Sequence, residues 1–274
     1  MKRHTAHVDG MEMHWEEVGT GDPVILVHGI PTGPALWRKV APLIEGRRVL
    51  AWEMPGYAAS IPLGEARDIS VAKQAEYLVA WMQSQGIKRA ILVGHDLGGG
   101  VVQVVAVRHP DMVNGLFLTN AICYDSWPVP LIKGIAAAGS ILKHAPDGSL
   151  HQLLKMMFSK GHVTDAAADA ALTTHAPHYD QNGGAEAFVR QAQSLNVNDT
   201  KSIAGQLPNL GIPARIVWGA DDDFQKIEFS ERLAADLKAP LRRIEGGKHF
   251  TPEDFPEVIA EEINALIRTV DAEA

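Results

Sequence analysis

The sequence holds a single cysteine, Cys123, among 274 residues. One thiol excludes an intrachain disulfide and any cysteine-based zinc site, and it permits a reducing compartment. Long apolar runs are missing as well. The longest, residues 131–142, is interrupted by Lys133, whereas a membrane-spanning helix needs roughly 20 apolar residues. Residues 1–21 are polar and contain no apolar core of signal-peptide length. A cytoplasmic protein without a membrane partner is therefore expected. Positive charge is in deficit: Lys plus Arg number 25 against 33 Asp plus Glu, a net charge of −8. That argues against nucleic acid, which calls for a basic face. Neither a Gly-x-Gly-x-x-Gly turn nor a phosphate-binding loop follows any strand pattern, so no cofactor is expected. His175 and His178 lie three residues apart with no carboxylate motif beside them, and no metal site is expected there.

What remains is a foldable chain, 46% hydrophobic, with no repeat or low-complexity tract. Its first half alternates short β-branched runs with longer helical patterns. Residues 24–27, 48–52, 90–93 and 116–119 read as buried strands; 33–44, 71–85 and 97–108 read as helices. Such alternation implies a mostly parallel sheet flanked by helices. Before it, residues 5–8 and 11–17 flank Asp9-Gly10, a strong hairpin signal. From Tyr124 to Leu207 the pattern is helical and Ala-rich. Alternation then resumes, with strands at 214–218 and 241–244 and helices at 227–237 and 252–269. The expected organisation is an α/β core (1–123 and 208–274) interrupted by a helical lid (124–207). Open α/β sheets bind ligands beyond the carboxyl ends of their strands, where such an insert would cover the site.

Four short motifs stand at predicted strand ends. Gly94-His95-Asp96-Leu97-Gly98-Gly99 lies between a strand and a helix, the context of the Gly-x-Ser-x-Gly nucleophile turn with Asp in place of Ser. The turn is tight, so its flanks must be nearly devoid of side chain, and a carboxylate at a helix start is stabilised by the helix dipole. The plainer reading is an Asp N-cap in a Gly-rich turn. His28-Gly29-Ile30-Pro31 follows an early strand; in this architecture the amides of Ile30 and Leu97 would form an oxyanion hole. Gly219-Ala220-Asp221-Asp222-Asp223 and Gly246-Gly247-Lys248-His249 follow two late strands. The order Asp96, Asp222, His249 is that of nucleophile, acid and base. Asp221 and Asp223 remain alternatives to Asp222.

With these motifs the whole chain resembles the α/β-hydrolase fold, and Asp96 in the nucleophile position resembles the epoxide hydrolases and haloalkane dehalogenases. His28-Gly29-Ile30-Pro31 matches the HGxP motif of epoxide hydrolases. Met54-Pro55-Gly56-Tyr57-Ala58-Ala59-Ser60 resembles the superfamily's loop after its fourth strand, with Ala58 where Gly is commoner. The resemblance implies that Asp96 attacks an sp³ carbon to form an alkyl-enzyme ester, which water activated by His249 then hydrolyses. Asp222 would orient His249 and stabilise its charge.

The leaving group separates the activities. A halide is usually held by N–H donors beside the nucleophile and in the HG loop, where this chain has Leu97 and Ile30; Trp37 or a lid residue would have to compensate. An epoxide oxygen is usually protonated by lid tyrosines. The chain has four tyrosines, and Tyr179 is the expected lid proton donor, with His178 or Tyr124 as its partner. Substrate-facing candidates are His28, Pro31, Trp37, Tyr124, Trp127 and His178. Epoxide hydrolysis to a diol is the leading expectation and dehalogenation through the same ester the alternative. Further alternatives are another hydrolase with His249 as base, or a non-catalytic ligand receptor. The expected partner is a small apolar or amphipathic substrate, and the chain is expected to be a monomer or homodimer.

Overall fold

Strands that are apolar along their whole length need cover on both faces. In a computed structural model, described for residues 1–142, 148–181 and 183–273, β3 (Pro23–Val27), β4 (Arg48–Trp52), β5 (Ala90–Asp96) and β6 (Val113–Ala121) are buried almost throughout. With β1 (Lys2–Val8), β2 (Met11–Val18), β7 (Ala214–Gly219) and β8 (Leu241–Ile244) they form one eight-stranded sheet, in the order β1-β2-β4-β3-β5-β6-β7-β8. From β4 to β8 every pairing is parallel. β1 and β2 pair antiparallel through Asp9-Gly10, whose φ angles of 49° and 74° are both positive, as a type I′ turn requires.

Helices α1 (Val71–Ser84) and α2 (Leu97–Arg108) follow β4 and β5. α2 is buried over nearly its whole length and packs against β5 and β6. Between β6 and β7 the chain forms α3 (Pro130–Ala137), α4 (Gly139–Leu142), α5 (Ser149–Gly161), α6 (Asp165–Gln181), α7 (Gly184–Gln193) and α8 (Asn198–Lys201), with no strand among the described residues. The expected insert also contains residues 143–147 and 182, and the expected core ends at Ala274; these lie outside the described residues. α9 (Ile227–Leu237) separates β7 from β8, and α10 (Thr251–Asp254) and α11 (Pro256–Glu273) follow β8. Among the described residues, no helix is long and apolar enough to cross a membrane.

Two expected helices are broken by proline. Residues 33–44 form two short 3₁₀ turns, Pro34–Trp37 and Ala41–Leu43. Pro42 has no N–H to donate, and its ring would strike the carbonyl four residues back in an α-helix. The expected helix 252–269 is split at Phe255 (φ −133°, ψ 52°). Pro256 bars that residue from helical geometry, so α10 stops and α11 starts afresh.

Candidate active site

β5 ends in a turn too tight for side chains. A Cβ on Gly94 would overlap the backbone of Gly98 and Gly99, and one on Gly98 would overlap the carbonyls of Val27 and His28. Between them Asp96 adopts φ 50° and ψ −120°, a region whose occupation costs about 1–3 kcal/mol for a non-glycine residue. Its carboxylate meets the loop after β3: the Ile30 amide donates to Asp96 Oδ2 at 3.0 Å, and the nearby Leu97 amide also favours the charged carboxylate. Gly29 is required there, because a Cβ would overlap that carboxylate. Burial raises the pKa of Asp96, against the pull of the His249 charge and of the two amides.

His249 follows β8, and its Nε2 stands 4.0 Å from Asp96 Oδ1. Its Nδ1 donates to Asp222 Oδ2 at 2.8 Å. That bond fixes the proton of the neutral ring on Nδ1 and leaves Nε2 as the base. Asp222 Oδ2 also accepts from Asn120 Nδ2 at 2.7 Å, and Oδ1 accepts from the Phe224 amide at 2.7 Å. Asn120 Oδ1 in turn accepts from the Gly219 amide (3.2 Å) and the Thr251 hydroxyl (3.0 Å), tying the ends of β6 and β7 to the histidine loop. Asp221 and Asp223 are exposed, and Asp223 pairs with Lys160 and Lys226. Of the three adjacent carboxylates, only Asp222 meets the imidazole. Burial pushes the pKa of His249 down, but the charge and hydrogen bond of Asp222, then the charge of Asp96, outweigh it and leave it raised. Beneath the ring, His95 Nε2 donates to the His249 carbonyl at 2.9 Å, and burial holds His95 neutral.

Above the carboxylate lies a narrow cavity of about 40 Å³, the room of a few water molecules. Its walls are mostly apolar, with Ile122, Ile132, Met157 and Phe250 among them. The polar side chains in the lining are Asp96, His249, Trp127 and Gln225, and Trp127 Nε1 is already committed to the Thr200 hydroxyl at 2.6 Å.

Known proteins share this fold. The family model of the alpha/beta hydrolase fold matches residues 22–146. The chain has the α/β-hydrolase fold. A crystal structure of an alpha/beta hydrolase fold protein from Burkholderia ambifaria superposes with a TM-score of 0.88 at 24% identity, covering 95% of this chain and 96% of that one. The soluble epoxide hydrolase of Corynebacterium sp. (strain C12) is 26% identical over 93% of each chain. The 2-hydroxy-6-oxononadienedioate/2-hydroxy-6-oxononatrienedioate hydrolase of a Pseudomonas species is 28% identical over 81% of this chain and 79% of its own.

The remaining candidates scatter around the cavity. Ile30, Leu97 and Trp127 line it. Tyr179 and Tyr124 are not in the lining: Tyr179 donates its hydroxyl to Gln191 Oε1 at 2.8 Å, and Tyr124 donates to Asp236 at 2.6 Å. His178 is half-buried near His175 and Arg3, and burial first, then their charges, lower its pKa. His28 braces two loops, with Nδ1 donating to the Gly29 carbonyl at 2.9 Å and Nε2 accepting from the Met54 amide at 3.2 Å. Burial pushes its pKa down to about 3. Pro31 and Trp37 are buried outside the cavity lining.

Two features escape the sequence patterns. Gln225 lines the cavity from the loop after Asp222. Glu253, in α10 just past His249, is 3% exposed and sits among Arg38, His175 Nε2 at 3.4 Å and His162 Nε2 at 3.3 Å. His162 Nδ1 donates to Asp254 at 2.8 Å. This cluster ties α6 and the end of α5 to the segment that carries the histidine. A Glu four residues after a loop histidine has no distinguishing pattern, and its partners lie far away in sequence.

Proposed function

We propose that this hydrolase acts through a covalent alkyl ester on Asp96 and that its preferred substrates are small epoxides. The observation that carries the reading is the division of labour within one carboxylate. Asp96 lines the cavity, its Oδ2 held by the Ile30 amide and its Oδ1 toward His249 Nε2. In this reading Oδ1 attacks an epoxide carbon, the C–O bond breaks and its electron pair passes to the ring oxygen. Water, deprotonated by His249, then adds to the ester carbon. Oδ2 becomes the oxyanion between the Ile30 and Leu97 amides, and the Cγ–Oδ1 bond breaks to release the diol. Alkylation also removes the Asp96 charge, one of the influences holding the pKa of His249 up. The imidazole is thereby favoured in its basic form when it is needed. The helices between β6 and β7 serve as the cap, and Trp127, Ile132 and Met157 come from that segment.

A second reading is dehalogenation through the same ester. What favours it is that no tyrosine lines the cavity among the described residues, and a departing halide needs no proton. The test is intact mass spectrometry of His249→Gln after exposure to propylene oxide or bromoethane. Added mass equal to the whole epoxide, mapped to Asp96, supports the first reading. Added mass equal to bromoethane less hydrogen bromide supports the second. A folded protein that gains no mass with either refutes the ester mechanism.

A further inference from the structure

Every carbon–heteroatom displacement leaves negative charge on the departing atom, and something in a dry cavity has to meet it. The tyrosines that would do so are bonded elsewhere, and the Trp127 N–H is spent on Thr200. Gln225 remains. It is 2% exposed and lines the same narrow cavity as Asp96 and His249. Its side-chain Oε1 is buried without a hydrogen-bond partner among the described residues. A buried amide end left unpaired costs about 1–3 kcal/mol, so an unspent one in a cavity wall calls for a ligand.

The loop around it is held firmly. The Gln225 carbonyl accepts from Trp218 Nε1 at 2.8 Å, and the Phe224 amide donates to Asp222 Oδ1 at 2.7 Å. Phe224 also packs edge-on against the His249 ring, with centroids 5.2 Å apart. The amide is thus carried on the same short segment as the acid that orients the histidine. A half-turn about its last side-chain bond exchanges O and N without changing shape, so the NH₂ can be presented to the cavity.

We propose that Gln225 hydrogen-bonds the leaving atom of the substrate and so determines which substrates are opened. This rests on the ester mechanism above. As Oδ1 bonds to carbon, the carbon–oxygen or carbon–halogen electron pair moves onto an atom that the Gln225 amide N–H holds, with no proton transferred from the amide. An epoxide alkoxide takes its proton from solvent. The neutral imidazole accepts a proton from the attacking water and later returns one to solvent, so one turnover consumes one water and restores both groups. A halide departs as the anion. The fitting ligands are small molecules with one electronegative leaving atom on an otherwise apolar skeleton.

The experiment follows the rate of Asp96 alkylation by propylene oxide and by bromoethane in His249→Gln, with and without Gln225→Leu. Gln225→Glu serves as a second variant that keeps the size but not the donor. With either variant, alkylation is expected to slow by about 10- to 100-fold, the value of one hydrogen bond to a developing charge. The melting temperature should hold or rise in Gln225→Leu, since an unpaired polar group is removed. Alkylation at the parent rate in both variants would overturn the role of Gln225 while leaving the ester mechanism standing. If the His249→Gln parent itself forms no adduct, the ester mechanism fails and this inference falls with it.

Discussion

Replacing Glu253 by Gln removes one charge from the buried cluster that joins α6 and the end of α5 to the histidine segment. The carboxylate is almost fully buried and pairs with Arg38, His162 and His175. Breaking a buried ion pair on one side costs about 3–5 kcal/mol. Arg38 is 31% exposed and can regain water, which points to the lower end, about 3 kcal/mol. A chain of this size loses about 2 °C of melting temperature per kcal/mol, so a fall of about 6 °C is expected. The loss should also depend on pH. Burial opposes the charge of Glu253, but the neighbouring His162 and His175 and the Arg38 charge outweigh it, so its pKa lies below the ordinary 4.5. Its contribution is complete above that ordinary value and fades only as pH falls through the lowered one. For His162, burial is outweighed by Asp254 and Glu253, so its pKa is raised above 6.5. Its contribution is complete below 6.5 and fades as pH rises through the raised value. Both are present together in the window between, so the penalty of Glu253→Gln should be greater at about pH 6 than at about pH 8.5. Calorimetric melts of the parent, Glu253→Gln, His162→Gln and the double variant would measure this, with a coupling of about 0.5–3 kcal/mol expected between the two sites. A melting temperature lowered equally at both pH values, or additive single effects, would refute the reasoning.

Two further outcomes follow from the site. Gly29→Ala should fold but lose about 100-fold or more in turnover, because its Cβ would displace the Asp96 carboxylate from the Ile30 amide; unchanged single-turnover rates would show the amide to be dispensable. Steady-state turnover should fall as pH drops through a value above 6.5, the raised pKa of His249. Hydrolysis of the preformed ester should instead retain its rate to lower pH, because the alkylated Asp96 no longer carries charge; coincident pH profiles for the two would contradict that coupling.

The central constellation was legible because its geometry demands particular residues locally. A strained turn needs Gly94 and Gly98, and a carboxylate against a loop needs Gly29, so the constraint is written into adjacent positions. The acid was legible only to within three neighbours. Choosing Asp222 over Asp221 and Asp223 depends on which side chain points back toward β6, where Asn120 waits 102 residues away. The cavity wall was the least legible part. α6 is Ala-rich with no sharp apolar face, so its periodicity does not tell whether Tyr179 looks into the cavity or toward Gln191 on α7. Gln225 lacks any distinguishing context, and its unpaired amide exists only once Phe224, Trp218 and the cap surround it. The break of the expected helix 33–44 was written in Pro42 and was outweighed by the apolar spacing around it.

The hold of the Ile30 amide on one carboxylate oxygen gives the two oxygens of Asp96 different fates. Under the proposed mechanism the oxygen facing His249 leaves in each product molecule and is replaced from solvent. The oxygen bonded to Ile30 stays for the lifetime of the protein, because rotation of the carboxylate would have to break that bond in a space that cannot even accept a methyl group on Gly29. After many turnovers in isotopically heavy water, Asp96 should therefore carry one heavy oxygen and not two. Two heavy oxygens would mean that the carboxylate turns over between cycles. One side chain is thus part reagent and part scaffold, divided between its own two atoms.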